Sequence, residues 1–570
     1  MTLEHLPWYL PPGWPLILGG VLLAGLPARL RARLLPLPAL LALMHLERFD
    51  HGAFGQVMLA GQTLTLARLD ALSTPFVWLF GFAALIGSLY LRGRPQRHEC
   101  AAGLIYAGAA IGAVCAGDLL SLFLYWEITA LASALLLFPE GSRSDYGVAL
   151  RYLIVQVLSG VLLMGGSVLH LQESGSLAFD TLTLDGAAGV WILAAFSIKA
   201  AFPLLHGWAI EAYPSASPAG TVWLSTFTTK LAIYALARSF AGLDMLIPVG
   251  AIMILFTLVQ GLREDDLRRT LVYGLINQLG FMVIAIGIGT PLALSAAVAH
   301  AISHVLYSGL LFMALGVVLL RAGTTRSSEL GGLARQMPWT FGFCLIGTLG
   351  MAAPLFAGFA SKSLILAAAH DAHQPMLAAI LKVGSVGIFI MAGLKILYPA
   401  FLGAHRGRIT VRDAPGSMRT AMLLSALALL LLGIRPDLLF GALGDPVRYP
   451  LYTPAHVLEQ FGLLTGSMLV FALLMRRGFW PRQIAWVRDI DALQRRVPNA
   501  WRTGTQFLQA APTRGHEAVA SLMRPVSQRL RRDGGEESVL IRSWQTGSMA
   551  LWVAIALGGY LLLYFVSYAG

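Results

Sequence analysis

Apolar runs of about 20 residues, the length an α-helix needs to cross a bilayer, recur along nearly the whole sequence. Within the hydrocarbon core a helix satisfies its own backbone hydrogen bonds, which few other structures can do. Charged residues make up 12% of the chain, about half of their share in soluble domains. The sequence therefore predicts an all-α fold, a polytopic transmembrane helix bundle.

Hydropathy predicts about sixteen spans, about fourteen of which would form the core of the bundle. The predicted spans are 14–28, 34–46, 71–91, 100–116, 119–138, 151–170, 187–205, 219–239, 245–262, 270–289, 292–320, 339–369, 376–402, 417–434, 455–475 and 546–568. We divide the chain into N-terminal transmembrane helices at 1–97, a first half-channel repeat at 98–240, a second at 241–402, C-terminal core helices at 403–475, a cytoplasmic-surface amphipathic segment at 476–545 and a terminal transmembrane anchor at 546–570.

The arginines fix the expected orientation. Seventeen lie in the loops on one side of the predicted bundle and five in the loops on the other, and loops rich in basic residues remain cytoplasmic. Both termini then fall on the periplasmic side of a bacterial inner membrane. No basic segment precedes the first apolar run, so we expect no cleaved signal peptide.

All five lysines of the chain lie inside apolar, helix-length segments, whereas most of the arginines lie between them. The lysines are Lys199, Lys230, Lys362, Lys382 and Lys395. An ionisable group inside a bilayer is a functional candidate by default. Arginine keeps its charge, but a buried lysine can lose its proton near neutral pH. This segregation predicts a protein that conducts protons.

Glu127 lies near the middle of the predicted span 119–138 and needs a cation partner if it is to stay ionised. Lys199 is the candidate partner from a neighbouring helix. Pro203 follows Lys199 and Pro354 precedes Lys362, so we expect both lysines to lie in broken helices, which line polar cavities in transporters. The alternative is a purely structural ion pair.

His300 and His304 are spaced i, i+4 and share one face of a helix. Neutral histidine accepts and donates a proton at once, so the two could connect the lysines of the two halves. The alternatives are two hydrogen-bonded core residues, or a metal pair, which no acidic or cysteine ligand accompanies. Further polar residues fall in the same region: Asn277, Gln278, Thr226, Thr228 and Thr229.

We expect no cofactor, no metal and no nucleic acid. The chain has no phosphate-binding loop and no dinucleotide fingerprint, and its three cysteines have no metal or redox spacing. The net charge of +12 is attributed to cytoplasmic loops that face anionic lipid. Transport would then be driven by an ion gradient or by a partner subunit.

Residues 476–545 differ from the rest because they carry 13 arginines against six acidic residues, interleaved with apolar side chains. Basic amphipathic segments between two spans are typical of helices that lie on a membrane surface. We expect this segment on the cytoplasmic surface, holding a neighbouring subunit. The alternative is a solvated linker.

Several segments resemble the antiporter-like subunits shared by Mrp-type cation/proton antiporters, respiratory complex I and membrane-bound hydrogenases. They are LYWEITALAS around Glu127, IKAAFPLLHGWAIEAYPSASPAGTVWLSTFTTKLAIYALAR from Ile198 to Arg238, REDDLRRTLVYGLINQLGFMV, AVAHAISHVLYSGLLFMALG and APLFAGFASKSLI. The second segment is closest to the D-type subunit of the Mrp antiporters, and the resemblance covers roughly residues 65–475. The blocks SIKAAFPLLH and ASKSLILAAAH, one in each half, share a weak similarity, and from it we take two inverted repeats containing broken helices as a hypothesis.

The resemblance also implies site roles. Glu127 and Lys199 would be the coupling pair, Lys230, His300 and His304 the connecting relay, and Lys362 the distal lysine. Lys395 is a further candidate because it too lies in an apolar segment. The chain departs from the family at Ser308, where an HxxYK arrangement commonly has lysine. The segment after residue 475 resembles the lateral helix and anchor of the largest antiporter-like subunit of complex I, which the D-type Mrp subunit normally lacks.

The prediction is a proton-translocating, antiporter-like subunit of a multisubunit cation/proton antiporter complex, a transporter subunit rather than a stand-alone enzyme. Its expected partners are other membrane subunits, the lipid bilayer, protons, and Na⁺ or K⁺ as the exchanged cation. The first alternative is a pump subunit of a complex I-like or hydrogenase redox complex, a quinone oxidoreductase-type translocase. The second is a proton-channel partner of an inorganic-carbon uptake complex with a zinc-bearing soluble subunit.

Overall fold

The computed structural model describes residues 10–59, 61–93, 95–138, 146–404, 411–441 and 449–476. Within these ranges nine helices are long and apolar enough to cross a membrane, and shorter apolar helices accompany them. The predicted all-α transmembrane bundle is therefore confirmed. The predicted surface segment 476–545, apart from Arg476, and the predicted anchor 546–570 lie outside the described residues.

The first half of the bundle contains the helices α1 to α11 and one β-hairpin. The helices are α1 (Trp14–Ala24), α2 (Ala28–Leu34), α3 (Leu37–Leu46), α4 (Ser73–Leu91), α5 (Arg97–Cys115), α6 (Leu119–Leu135), α7 (Tyr146–Ser174), α8 (Ala187–Lys199), α9 (Gly207–Ser215), α10 (Pro218–Thr226) and α11 (Thr228–Ser239). The strands are β1 (Gly52–Leu59) and β2 (Gln62–Leu69).

The second half contains α12 to α21. They are α12 (Leu246–Arg263), α13 (Leu267–Ile288), α14 (Pro291–Ala322), α15 (Pro338–Gly350), α16 (Ala357–Asp371), α17 (Pro375–Ile388), α18 (Lys395–Leu397), α19 (Gly416–Ile434), α20 (Pro436–Gly441) and α21 (Pro454–Arg476). Two π-helical stretches, Phe389–Leu394 and Tyr398–Leu402, flank α18, so that α17 and α18 run on as one span from Pro375 to Leu402. Each predicted span from 14–28 to 455–475 overlaps at least one of these helices, and α9 and α20 lie outside the predicted spans.

The sequence analysis did not predict the hairpin of β1 and β2. The strands pair antiparallel, from Gly52 opposite Leu69 to Leu59 opposite Gln62. Asp118, at the start of α6, accepts a hydrogen bond from the backbone nitrogen of Thr65 at 2.9 Å. The hairpin is thereby attached to the end of the helix that carries Glu127.

An aspartate caps a helix at the same place in each half of the bundle. Asp118 accepts from the backbone nitrogen of Ser121 at the start of α6, and Asp266 accepts from that of Arg268 at the start of α13. Each aspartate also forms an isolated antiparallel bridge, Asp118 with Ala178 and Asp266 with Arg326. Because a carboxylate satisfies backbone donors at a helix start, both halves begin their central helix in the same way.

Each half also contains the broken helix that the prolines predicted. The break between α8 and α9 includes Pro203 and Leu204, and the break between α15 and α16 includes Pro354 and Leu355. Both leucines have positive φ, 69° and 72°. Proline lacks a backbone donor, and a left-handed residue reverses the helical path, so the two together end one half-helix before the next begins.

The positions of the two breaks show that Lys199 and Lys362 are not equivalent residues of the two repeats. Lys199 is the last residue of α8, before its break, whereas Lys362 lies in α16, after its break. When the prolines are superposed, Lys199 corresponds to Gly350 and Lys362 to Glu211. The blocks SIKAAFPLLH and ASKSLILAAAH are therefore not equivalent, although both lysines lie beside a break.

A clamp of charged and hydroxyl groups holds α4 to α11 at the end of the bundle nearest the hairpin. Asp70 accepts hydrogen bonds at 2.8 Å from the guanidinium of Arg238, which also donates at 2.8 Å to the hydroxyl of Tyr234. Burial alone would raise the pKa of Asp70, but Arg238 and the hydrogen bonds from Ser73 outweigh burial and hold that pKa below its usual value.

We expect Asp70→Asn to lower the thermal stability of the purified complex, by up to about 1 kcal/mol for a partly exposed pair. The Asp70 carboxylate has a lowered pKa, so its contribution is present above the ordinary aspartate pKa and is lost only as the pH falls through the lowered value. The loss caused by Asp70→Asn should thus be equal at about pH 6 and about pH 8. Thermal unfolding of the parent and the variant at both pH values checks this. A variant with the same unfolding midpoint as the parent would contradict it.

Candidate functional site

Lys199 is fully buried where α8 ends against the middle of α6. Its ammonium donates to the carbonyl oxygen of Trp126 at 2.8 Å and to the hydroxyl of Thr129 at 3.2 Å. It also lies 4.2 Å from the centre of the Trp126 ring. A carbonyl, a hydroxyl and an aromatic face stabilise the cation here, and the negative end of the α8 dipole adds to them.

The carboxylate of Glu127 lies against Gly160 of α7. An ideal Cβ at Gly160 would lie 1.5 Å from Oε1 of Glu127, so only glycine at position 160 leaves room for the carboxylate. Oε1 is buried, and no described residue donates a hydrogen bond to it. Glu127 as a whole is partly exposed, beside outward-facing Leu124 and Leu131 of the same helix.

The close ion pair that the sequence suggested is therefore not formed. Glu127 and Lys199 interact electrostatically, but no salt bridge within 4.0 Å joins these two described residues. The ammonium is bound by the carbonyl and the ring of Trp126, while the carboxylate occupies the space left beside Gly160. The two groups face each other across a gap instead of being in contact.

Lys230 is fully buried in α11, just after the break between α10 and α11 at Phe227. Its ammonium donates to the carbonyl oxygen of Ser225 at 2.8 Å and to the hydroxyl of Thr229 at 3.3 Å. The sequence placed no break in this helix. Because the helix is interrupted here, a backbone carbonyl next to the break becomes the main partner of the cation.

His300 and His304 lie side by side on α14, fully buried, with ring centres 6.3 Å apart. Among the charged groups, His304 interacts most strongly with Lys230 and His300 with Lys362. Nδ1 of His300 pairs with the hydroxyl of Ser361 at 3.0 Å, while its Nε2 and Nδ1 of His304 have no partner among the described residues. The order is thus Lys230, His304, His300, Lys362.

Lys362, at the end of this row, has the fewest polar contacts. Its ammonium nitrogen is buried and receives no hydrogen-bond partner from the described part of the chain. The ring of Phe281 lies 5.6 Å away, and the adjacent Ser361 is bound to His300. Three of the four lysines that the sequence predicted as site residues, Lys199, Lys230 and Lys362, therefore lie with both histidines in one buried row.

Ser308, where the family commonly has lysine, borders a small cavity of about 10 Å³. Gln278, His304 and Tyr307 also line it, and the Tyr307 hydroxyl donates to Oε1 of Gln278 at 2.9 Å. A cavity of this size has room for one water molecule, and its lining offers the polar partners that a water needs. The rest of the lining is mostly apolar, so Gln278, His304, Tyr307 and Ser308 are the polar groups of this cavity.

The remaining two lysines lie apart from the row. The Lys395 ammonium donates to the carbonyls of Gly261 at 2.7 Å and Leu262 at 3.1 Å, where α12 ends, and to the carbonyl of Glu264. Lys382 is partly exposed and forms a salt bridge of 2.7 Å with Glu459 of α21. Among the described residues, no group of three or more His, Cys, Asp and Glu side chains is placed to hold a metal ion.

Sequence comparison relates the chain to a known family of membrane proteins. A model of the NADH:quinone oxidoreductase/Mrp antiporter transmembrane family matches residues 116–389. Subunit N of the NADH-quinone oxidoreductase of Desulforudis audaxviator (strain MP104C) is 31% identical over 399 residues, which cover 63% of this chain and 79% of that subunit. The chain belongs to this family.

Other family members extend the match. Hydrogenase-4 component B of Escherichia coli (strain K12) is 26% identical over 519 residues, 80% of this chain and 77% of that protein. A chain of the Mrp complex from Dietzia sp. DQ12-45-1b has a TM-score of 0.68 at 23% identity and covers 78% of this chain and 98% of that chain. At that identity the structural match shows the fold. The family that the sequence motifs indicated is confirmed by the sequence matches.

Gly160 is the site residue that the sequence analysis missed, and it offers a direct test. We expect Gly160→Ala to displace the Glu127 carboxylate and to lower ion transport by about tenfold or more, the scale of a misplaced reacting group. Gly309→Ala is the matched control, because a Cβ at that helical glycine meets nothing within 4 Å. Transport is measured in vesicles that contain the assembled complex, and equal rates for the two variants would contradict the assignment.

Proposed function

We propose that this chain is a proton-translocating, antiporter-like membrane subunit of a multisubunit cation/proton antiporter complex. The observation that carries the proposal is the buried row of Lys199, Lys230, His304, His300 and Lys362, with Glu127 beside its first member. Proton carriers that lie so deep in a membrane protein are costly to retain without a function. The family includes Na⁺/H⁺ antiporter subunits, which supports cation exchange as the coupled reaction.

The gap between Glu127 and Lys199 supports a coupling role. A cation in a low-dielectric site is stabilised strongly by a nearby carboxylate, and the stabilisation falls when the two move apart. A motion of α6 against α8 would therefore change how firmly Lys199 holds its proton. We propose that this motion passes protons along the row to Lys362.

A neighbouring membrane subunit is expected to cover Glu127. Glu127 as a residue is partly exposed at the middle of α6, although its Oε1 is buried. Leu124, Leu131 and Leu135 on the outward face of that helix are each about half exposed. A carboxylate facing lipid would be unfavourable, so a protein partner on this face is favoured. We further propose the bacterial inner membrane as the location, with both termini periplasmic, on the strength of the arginine distribution.

The second candidate is a pump subunit of a redox complex. Its support is the match to hydrogenase-4 component B over 80% of this chain. Native purification separates the candidates, since copurifying electron-transfer subunits would favour the redox complex and further antiporter subunits the exchanger. A zinc-bearing soluble partner would instead identify an inorganic-carbon uptake complex.

We expect Glu127→Gln and Lys199→Met each to abolish ion-coupled transport in vesicles while the complex still assembles, because each removes a charge at nearly constant size. Glu211→Gln and Lys382→Met are matched controls, since both residues form partly exposed salt bridges away from the row. The controls should transport at the parental rate. Normal transport by Glu127→Gln would overturn the coupling role.

The histidines are tested by replacing both His300 and His304 with leucine. Transport should stop, because Lys230 and Lys362 then lose their connection, while the geometry of Glu127 and Lys199 is preserved. Adding Ser308→Lys to the double variant should restore part of the rate, since a lysine there would reach the cavity beside position 304. If the double-leucine protein transports at the parental rate, the two histidines are core residues only.

A further inference from the structure

A buried cluster of tyrosine hydroxyls lies between Lys199 and Lys230. Tyr106 of α5, Tyr152 of α7 and Tyr213 of α9 come from three different helices, and each side chain is at most 1% exposed. Their hydroxyls are close enough to interact electrostatically. Such a convergence cannot be read from any local pattern in the sequence.

On the side of Lys199, hydroxyls of α6 lead towards Tyr152. The Lys199 ammonium donates to Thr129 at 3.2 Å, and Tyr152 donates to Ser133 at 2.9 Å. Thr129 and Ser133 are spaced i, i+4, so they lie on the same face of α6, one turn apart. The lysine and the tyrosine are thus joined to neighbouring hydroxyls of one helix.

On the side of Lys230, the hydroxyls gather at the break between α10 and α11. Tyr106 and Thr228 share a hydrogen bond of 2.5 Å between their hydroxyls, and the Tyr106 hydroxyl also accepts from the backbone nitrogen of Thr228 at 2.9 Å. Tyr152 lies near the same threonine. The next residue, Thr229, accepts from the Lys230 ammonium at 3.3 Å.

Two further groups show that the cluster is more than packing. The hydroxyl of Tyr213 and both polar atoms of Gln156 are buried without a hydrogen-bond partner among the described residues. Gln156 lies one turn from Tyr152 on α7 and one turn from Gly160, which faces Glu127. Phenylalanine and leucine would fill these positions at less cost, so the retained polar atoms favour a conducting role.

We propose that Thr129, Ser133, Tyr152, Thr228, Tyr106 and Thr229 carry protons from Lys199 to Lys230. The Lys199 ammonium gives a proton to Thr129. The hydroxyls of Thr129 and Ser133 donate to the carbonyls of Trp126 and Ala130 at 2.6 Å and 3.1 Å, and Tyr152 donates to Ser133 at 2.9 Å, so each hydroxyl rotates before it passes its own proton to the next group. The Lys230 amine takes the last proton. Every hydroxyl stays neutral, Lys199 ends neutral and Lys230 ends charged. The inference rests on the proposed function and supplies the segment of the row that the histidines do not cover.

The experiment compares three tyrosine-to-phenylalanine variants of the whole complex in vesicles. Tyr152→Phe and Tyr106→Phe should each slow proton transport by about tenfold or more, the scale of a lost proton-transfer group. Tyr90→Phe is the matched control, because Tyr90 is equally buried and its hydroxyl donates to the carbonyl of Met313 at 2.8 Å, away from the lysines. It should transport at the parental rate. Assembly is confirmed first by size-exclusion chromatography.

A second measurement separates proton transfer from structure. Fluorinated tyrosine at position 152 makes the hydroxyl more acidic with little change of shape, so it should alter the rate and the solvent isotope effect, whereas fluorinated tyrosine at position 90 should not. Parental transport by both Tyr152→Phe and Tyr106→Phe, or equal slowing by Tyr90→Phe, would overturn the hydroxyl path. The Lys199→Met and Glu127→Gln variants test the proposed function separately. If both lose transport while Tyr152→Phe stays active, the hydroxyl path is wrong and the proposed function stands.

Discussion

A lysine ammonium inside a membrane has to be solvated by the protein itself, and the rest of this structure follows from that need. Lys199, Lys230 and Lys395 each donate to a backbone carbonyl, from Trp126, Ser225 and Gly261 respectively. Two of these carbonyls lie where a helix ends or is interrupted, because an intact helix would use the carbonyl for its own hydrogen bond. Helix ends and breaks thus supply the carbonyls that stabilise Lys230 and Lys395, whereas Lys199 shares a carbonyl of the unbroken helix α6.

The row is not uniform along its length. Lys199 has a carbonyl, a hydroxyl and an indole ring as neighbours, whereas the nitrogen of Lys362 has no hydrogen-bond partner in the described residues. The lysines of the row therefore stabilise a proton to different extents. Which of them is protonated then depends on small movements of charge near the row. Glu127 lies beside Gly160, so a movement of its carboxylate would change the charge near the row.

Hydropathy and charge placed the helices, the prolines placed two of the breaks, and the isolated lysines marked the site. These features are local, so a single segment of sequence carries each of them. The contacts of the site were not predictable in the same way: Trp126 binding Lys199, Gly160 facing Glu127, and Tyr106 meeting Thr228 all join helices that are far apart in the sequence. The sequence analysis missed the hairpin of β1 and β2. Apolar runs of helix length identify membrane helices, whereas the alternating pattern of these two strands is too short to identify them.

The scarcity of lysine makes one measurement especially direct. With only this subunit labelled at the lysine side chains, five lysines give nitrogen and Cε resonances, and three of these lysines belong to the row. Lys382, partly exposed and paired with Glu459, serves as an internal reference. When a proton gradient is imposed across vesicles holding the assembled complex, the signals of Lys199, Lys230 and Lys362 should change protonation state while that of Lys382 stays charged. If all five lysines keep the same charge with and without the gradient, the buried row does not carry protons.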